Sequence, residues 1–208
     1  MNKYALVTGS ADRIGKAIAL DLARSGYNLI LHYNNSVDKV MLVKKEIYSL
    51  GVASELVQSD FMSDKDFDEI FEVFKSRGVI IDILVNCASD FRPSGFEDRG
   101  SDMYNKEMKI NFENIYLLTK AFARVFDKGH IVNFIDTKVE KNYSNHLDYI
   151  LSKKLLKEFT KLSAVHLAPH FRVNAIAPGL VLPPKGKDES YLLNLAQDIP
   201  LKTYGGLD

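Results

Sequence analysis

The 208-residue chain predicts an α/β fold, a doubly wound parallel sheet of about six strands with helices on both faces. Three observations point there. Short runs rich in β-branched and aliphatic residues alternate with longer helical patterns, which implies parallel pairing through right-handed crossovers. The runs are mostly apolar rather than alternating, as in strands covered on both faces. A glycine pair follows the first run, where a strand must turn sharply into a helix.

The strands are expected at residues 3–8, 28–33, 53–58, 81–86, 130–135 and 172–176. Ile14, Ala17, Ile18, Asp21 and Leu22 outline a first helix that stops at Gly26. A second covers 38–50 and ends at Gly51, and a third covers 64–77 with Phe67, Ile70, Phe71 and Phe74 on one face. A fourth spans 103–125, and a fifth spans 149–167 before Pro169. The stretch 183–188 is rich in Pro, Gly and Lys and reads as a loop within a single domain covering 1–208. The run KKLLKEFTK at 153–161 interleaves lysines with Leu155, Leu156 and Phe159, the pattern of a solvated face on an amphipathic helix.

Hydrophobic residues at 46% and charged residues at 26% exclude a disordered chain, a collagen-like repeat and a disulfide scaffold. Lys+Arg and Asp+Glu both number 27, so the formal charge is zero and no nucleic-acid partner is expected. Cys87 is the only cysteine, so no intrachain disulfide forms and a reducing compartment is the natural setting. The opening MNKYALVTGS lacks the apolar stretch and cleavage site of a signal peptide, and no run approaches the ~18 apolar residues of a membrane span. A soluble, cytoplasmic protein is expected. His146 and His166 form no ligand cluster with Cys87, so no metal site is expected, and Cys87 reads as a small buried hydrophobe.

The segment TGSADRIG at 8–15 lies between the first strand and the first helix, where a dinucleotide pyrophosphate meets the positive end of a helix. Gly9 allows the tight turn, Ile14 begins the helix, and Gly15 lets it pack closely on the sheet. Arg13 stands where the usual fingerprint has its middle glycine, and its guanidinium suits a phosphate. The second strand ends in His32, Tyr33, Asn34, Asn35 and Ser36, without the acid that holds a ribose 2′-hydroxyl in NAD-specific sites. A neutral pocket near Arg13 and Ser36 favours NADP(H) over NAD. The competing readings are ordinary turn residues, with His32 simply packed at a strand end.

Tyr149 and Lys153 stand at i and i+4 and share one helix face, after a strand that runs into Asp136. A nearby ammonium favours phenolate and lowers a tyrosine pKa, which would let Tyr149 shuttle a proton near neutral pH.

With these residues in order, the chain resembles the short-chain dehydrogenase/reductase family along essentially its whole length, and hence a Rossmann-like sheet. The landmarks are TGSADRIG, Asp60 after the third strand, NCAS at 86–89, Asn111 in the fourth helix, YILSK at 149–153 and RVNAIAPG at 172–179. The resemblance implies Tyr149 as general acid, Lys153 as ligand of the nicotinamide ribose, and Asn111 as support for the proton relay. It implies Asp60 and Phe61 beside the adenine, Asn86 and Ala88 along the ribose, and Pro178 and Gly179 at the nicotinamide.

Two departures narrow the substrate. Most members carry serine where this chain has Asp136, and the usual NNAG is here Asn86-Cys87-Ala88-Ser89, followed by Asp90-Phe91. That combination looks like the pteridine reductase and dihydromonapterin reductase branch. By that resemblance Phe91 stacks on a pterin, Arg13 serves a cofactor phosphate and the pterin edge, and Ser89 contacts either. Asp136 and Tyr149 then supply a proton as hydride arrives. Phe91 as a packed loop aromatic and Asp136 as a turn cap are the simpler readings. Two other functions stay open: a carbonyl or 3-oxoacyl-thioester reductase of the same family, and a catalytically impaired NADP-binding protein with an interaction or sensing role. The family usually assembles as dimers or tetramers through its fourth and fifth helices. Its members also continue past the position of Ile199-Pro200-Leu201-Lys202 with a helix, a seventh strand and a glycine-rich turn. The chain, ending Tyr204-Gly205-Gly206-Leu207-Asp208, is therefore expected to be C-terminally short, with an open edge at 172–176.

Overall fold

A computed structural model describes residues 3–63, 66–141, 145–184 and 186–207. The chain runs β1 (Lys3–Val7), α1 (Arg13–Arg24), β2 (Asn28–Tyr33), α2 (Val37–Ser49), β3 (Ser54–Gln58), α3 (Phe67–Ser76) and β4 (Ile80–Asn86). It continues with α4 (Asp102–Met108), a π-helical turn (Lys109–Glu113), α5 (Asn114–Val125), β5 (Gly129–Phe134) and a 3-10 turn (Thr137–Glu140). The last elements are α6 (Leu147–His166), β6 (Phe171–Ile176) and α7 (Glu189–Ala196). The strands form one six-stranded sheet in the order β3-β2-β1-β4-β5-β6, and every pair is parallel.

The alternation of side chains along each strand divides the core into two layers. Leu6, Ile30, Leu84 and Ile131 face α3 and α5, where Phe71, Phe74, Phe122 and Phe126 pack together. Ala5, Val7, Leu29 and Leu31 face the other way, onto Ala19 and Ala23 of α1 and Val40, Val43 and Ile47 of α2. Both faces of β1 and β2 are thus filled, which explains why their sequences show no polar alternation. Among the described residues β6 is an edge strand, with Arg172, Asn174, Ala175 and Ile176 exposed.

Sequence and structure differ at several element ends. Thr8 leaves β1, but its N–H still reaches Val85 O at 2.9 Å. The helix expected at 103–125 is interrupted. At the π turn the Asn114 N–H bonds Lys109 O, five residues back, and the Asn114 side chain joins it there. The start of the third helix at Asp64 lies outside the described residues, as do Lys185 in the loop 183–188 and the terminal Asp208. The described part of α3 begins behind Asp66, whose Oδ1 accepts from the N–H groups of Asp68 and Glu69. Helix α7 was not anticipated. Asp188 caps it by accepting from Ser190 N at 3.1 Å, and it buries Leu192 and Ala196 one turn apart. Among the described residues no helix is long and apolar enough to cross a membrane.

Candidate active site

The order of the sheet decides where a ligand can sit. The chain moves outward in one direction from β1 through β2 to β3, and in the other from β4 to β6. Loops leaving the carboxyl ends of β1 and β4 therefore diverge and open a crevice, the switch point of a doubly wound sheet. A cleft of about 740 Å³ lies there, lined by the turn after β1, the end of β2, the segments after β3 and β4, Asp136, α6 and the loop after β6. That volume suits a small organic ligand or part of a dinucleotide.

The turn after β1 shows why glycines stand in it. Gly9 has φ +67° and its hypothetical Cβ would lie 3.0 Å from Ala88 Cα; a Cβ on Gly15 would lie 2.2 Å from Gly9 O. A side chain at either point closes the cradle between β1, β4 and α1. Thr8 Oγ1 holds the two loops together by accepting from the N–H groups of Cys87 and Ala88, both at 2.9 Å. Asp12 caps α1 through Arg13 N at 2.9 Å. Arg13 has φ 54°, the left-handed region that favours glycine, which is why the middle glycine of the fingerprint belongs there. Its guanidinium donates to Pro183 O at 2.7 Å and ties the glycine turn to the loop after β6.

His32 supports the turn from below. Its Nδ1 accepts from Gly9 N at 3.2 Å, so Nε2 carries the proton and donates to Ser59 O at 3.1 Å. Burial lowers its pKa to about 4, and the ring stacks on Phe61 at 4.5 Å. His32 is thus a neutral strut that also lines the cleft.

At the other end of the cleft, Tyr149 Oη donates to Asp136 Oδ2 at 2.8 Å. Asp136 also caps the 3-10 turn, its Oδ1 accepting from Lys138 N at 2.8 Å. Asp136 thus caps the turn with one carboxylate oxygen and accepts from Tyr149 with the other. Lys153 is buried and donates to Phe134 O at 2.8 Å, with its Nζ 5.8 Å from the Tyr149 ring centre. Burial lowers the Lys153 pKa to about 8, against the raising effect of Cys87, Asp136 and Glu107. The sequence suggests that Lys153 lowers the Tyr149 pKa; the geometry gives the opposite direction. Burial first, then the charge and hydrogen bond of Asp136, push the phenol up, so it keeps its proton at neutral pH.

The structure brings most of the expected residues to one cleft. Gly9, Arg13, Ile14, Gly15, His32, Asn34, Ser36, Asp60, Phe61, Ala88, Ser89, Phe91, Asp136, Tyr149, Lys153, Pro178 and Gly179 all line it. Three stand elsewhere. Tyr33 is packed in the α1–α2 layer because its position in β2 points it away from the crevice. Asn86 is fully buried, and its amide donates to Asn133 Oδ1 at 2.8 Å across the sheet; among the described residues Asn86 Oδ1 has no partner. Asn111 lies behind the wall, where Oδ1 accepts from Ser89 Oγ at 2.8 Å and from Asp90 N at 2.9 Å.

Phe91 is partly exposed at the cleft mouth. His146 stacks on it at 4.0 Å, Lys138 Nζ lies 4.8 Å from its centroid, and its edge meets Tyr149 at 4.7 Å. A flat ligand stacking on Phe91 takes the place of His146 or Lys138. Sequence reasoning missed Met62, Asp90, Arg92, Lys106, Ile110, Val181 and Leu182, which also line the cleft. No spacing signal marks them, because loop geometry alone gathers them.

Comparison with known proteins agrees with this architecture. A family model for short chain dehydrogenase matches residues 3–190. A 3-oxoacyl-(acyl-carrier-protein) reductase of Staphylococcus epidermidis is 31% identical over 212 aligned positions, covering 99% of this chain and 86% of the relative. A dihydromonapterin reductase of Klebsiella pneumoniae is 29% identical over 192 positions, covering 89% and 77%. The crystal structure of FolM alternative dihydrofolate reductase 1 from Brucella canis, complexed with NADP, is 31% identical with a TM-score of 0.91, covering 99% of this chain and 83% of that one. The sheet order, the crevice and the ordered landmarks on its walls agree with that match, and the chain belongs to the short-chain dehydrogenase family.

Proposed function

We propose that the protein is an NADPH-dependent reductase of a dihydropterin-like substrate. The observation that supports it most is the Tyr149 Oη to Asp136 Oδ2 hydrogen bond of 2.8 Å. A carboxylate there accepts a hydrogen bond from a ring N–H, whereas the serine common in the family serves a carbonyl oxygen. The fit to a dinucleotide rests on the cradle that a Cβ on Gly9 or Gly15 would fill, and on the absence of an acid among Asn34, Asn35 and Ser36. When bound, the nicotinamide supplies a hydride.

The chain's own residues supply the matching proton. Tyr149 keeps its proton because burial and the Asp136 charge disfavour phenolate, so Oη acts as a general acid toward a ring nitrogen. Asp136 Oδ2 holds that O–H in one direction and returns a proton to Oη from solvent after transfer. Lys153, charged below about pH 8, compensates negative charge that develops at Oη. Arg13, Ser89 and Phe91 orient the substrate at the mouth. The reading is tested by following NADPH oxidation with a dihydropterin and with an acetoacetyl thioester. Turnover of the dihydropterin supports it, and turnover of the thioester alone rejects it. The second reading, a 3-oxoacyl-thioester reductase, draws on the identity with the Staphylococcus epidermidis relative.

A further inference from the structure

Glu107 is a carboxylate buried inside the protein, with no accessible surface, four residues before Asn111. Burying an acid is costly unless its oxygens are satisfied. Here they are: Oε1 accepts from the Arg92 backbone N–H at 3.1 Å, and Oε2 accepts from the Asn111 side-chain amide. That amide in turn binds the loop after β4, donating to Asp90 O at 3.0 Å while Oδ1 accepts from Asp90 N and Ser89 Oγ. One buried carboxylate thus fastens Ser89, Asp90 and Arg92, and with them Phe91, to the helix that ends in the π turn. Phe91 itself touches Tyr149 edge-on.

We propose that Glu107 is a positioning residue of the active site, a clasp that holds residues 89–92 in the geometry that receives the substrate. The inference rests on the reading of the cleft as a reductase site. An ionised carboxylate offers two full acceptors to the two N–H groups; a protonated one places a hydrogen on an oxygen that one of those donors needs. Burial, then the Asp90 charge, raise the Glu107 pKa to about 7, against the opposing contacts from Arg92 N, Asn111 and Lys153. The titratable groups that interact with it are Asp90 from the loop and Tyr149 and Lys153 from α6. Asp90 is itself paired with Arg92 and Lys106, at 2.9 and 3.3 Å. As pH falls through about 7 Glu107 gains a proton, and one of the two hydrogen bonds of the clasp is weakened.

The experiment has two arms on the full chain. In the first, amide hydrogen exchange is followed across 89–92, corrected for the intrinsic pH dependence of exchange. Wild type should lose protection as pH falls through about 7. Glu107→Gln, whose amide presents a donor to one of the two N–H groups, should exchange about ten-fold faster there at every pH. In the second, Glu107→Gln should raise KM for the dihydropterin about ten-fold, with kcat and the NADPH dissociation constant within about three-fold. Glu107→Asp, keeping the charge, should recover part of the loss. Unchanged exchange at 89–92 in Glu107→Gln overturns the clasp. If that variant does not fold, Glu107→Asp, whose shorter side chain cannot reach both N–H groups, decides instead, and protection at 89–92 equal to wild type in that variant overturns the clasp. A wild type inert toward dihydropterin rejects the substrate reading alone, because the exchange arm still decides the clasp.

Discussion

The phenol oxygen of Tyr149 and the carboxylate of Asp136 share a hydrogen bond of 2.8 Å at the head of the cleft, 13 residues apart in sequence. Burial, and then the Asp136 charge and hydrogen bond, disfavour the phenolate, so the phenol holds its proton. Lys153 donates to Phe134 O at 2.8 Å, with its Nζ 5.8 Å from the centre of the Tyr149 ring.

Removing the donor tests that assignment. Tyr149→Phe keeps the ring, the edge contact with Phe91 and the packing of α6, and removes only the O–H. Turnover of dihydropterin should drop by about 10²–10⁴-fold. NADPH titrated by fluorescence should bind as in wild type.

Lys153 sets an alkaline limit. Its pKa of about 8 means that its charge is lost above that pH, so kcat/KM should fall as pH rises through about 8. The same shift has a stability consequence. The folded pKa lies below the ordinary 10.5, so the folded form binds fewer protons than the unfolded chain between those values. This group's contribution to stability therefore rises with pH from about 8 to 10.5, and burying the charged form costs stability below 8. Lys153→Met should flatten that part of the pH profile in denaturant titrations while abolishing turnover.

Arg13 occupies a left-handed conformation at φ 54° and binds Pro183 O. Arg13→Gly removes the strain along with the side chain; Arg13→Ala removes only the side chain. The glycine variant should be more stable than the alanine variant by about 1 kcal/mol in urea unfolding. Both should bind NADPH more weakly than wild type, since each loses the same guanidinium.

Ser36 lines the cleft beyond β2 and makes no side-chain capping bond to α2. Wild type should use NADPH at a lower KM than NADH. Ser36→Asp supplies the acid that favours a free ribose 2′-hydroxyl and repels a 2′-phosphate, so the ratio of the two KM values should shift toward NADH. An unchanged ratio places the phosphate elsewhere.

Much of this was legible in the sequence because the signals are local. The turn from Gly9 to Gly15 and the pairing of Tyr149 with Lys153 need only a strand end and one helical turn to be read. Side-chain direction at strand ends was harder. Asn86 and Tyr33 sit in segments that do reach the cleft, but the two-residue alternation turns one toward Asn133 and the other into the α1–α2 layer. The π turn that carries Asn111 and sets its side chain behind Ser89 has no signal in the helical spacing. Glu107 was invisible because an acid in a helix bearing Lys106 and Lys109 reads as surface, and only the folded loop after β4 encloses it. The upward shift of Tyr149 comes from burial and then from Asp136, and nothing in the YILSK spacing foretells either. Helix α7 was missed because its short apolar face follows a Pro- and Gly-rich loop.

The central claim, that Asp136 adapts the Tyr149 acid to a pterin nitrogen, is tested most directly by one ratio. It is kcat/KM for a dihydropterin divided by kcat/KM for an acetoacetyl thioester, measured with NADPH in wild type and in Asp136→Ser. Serine can still cap the 3-10 turn at Lys138 N and still meet a carbonyl oxygen, but it offers no carboxylate to accept from a ring N–H. The account predicts a ratio well above one in wild type that collapses by about 100-fold in Asp136→Ser. A ratio that does not change between the two proteins would contradict it.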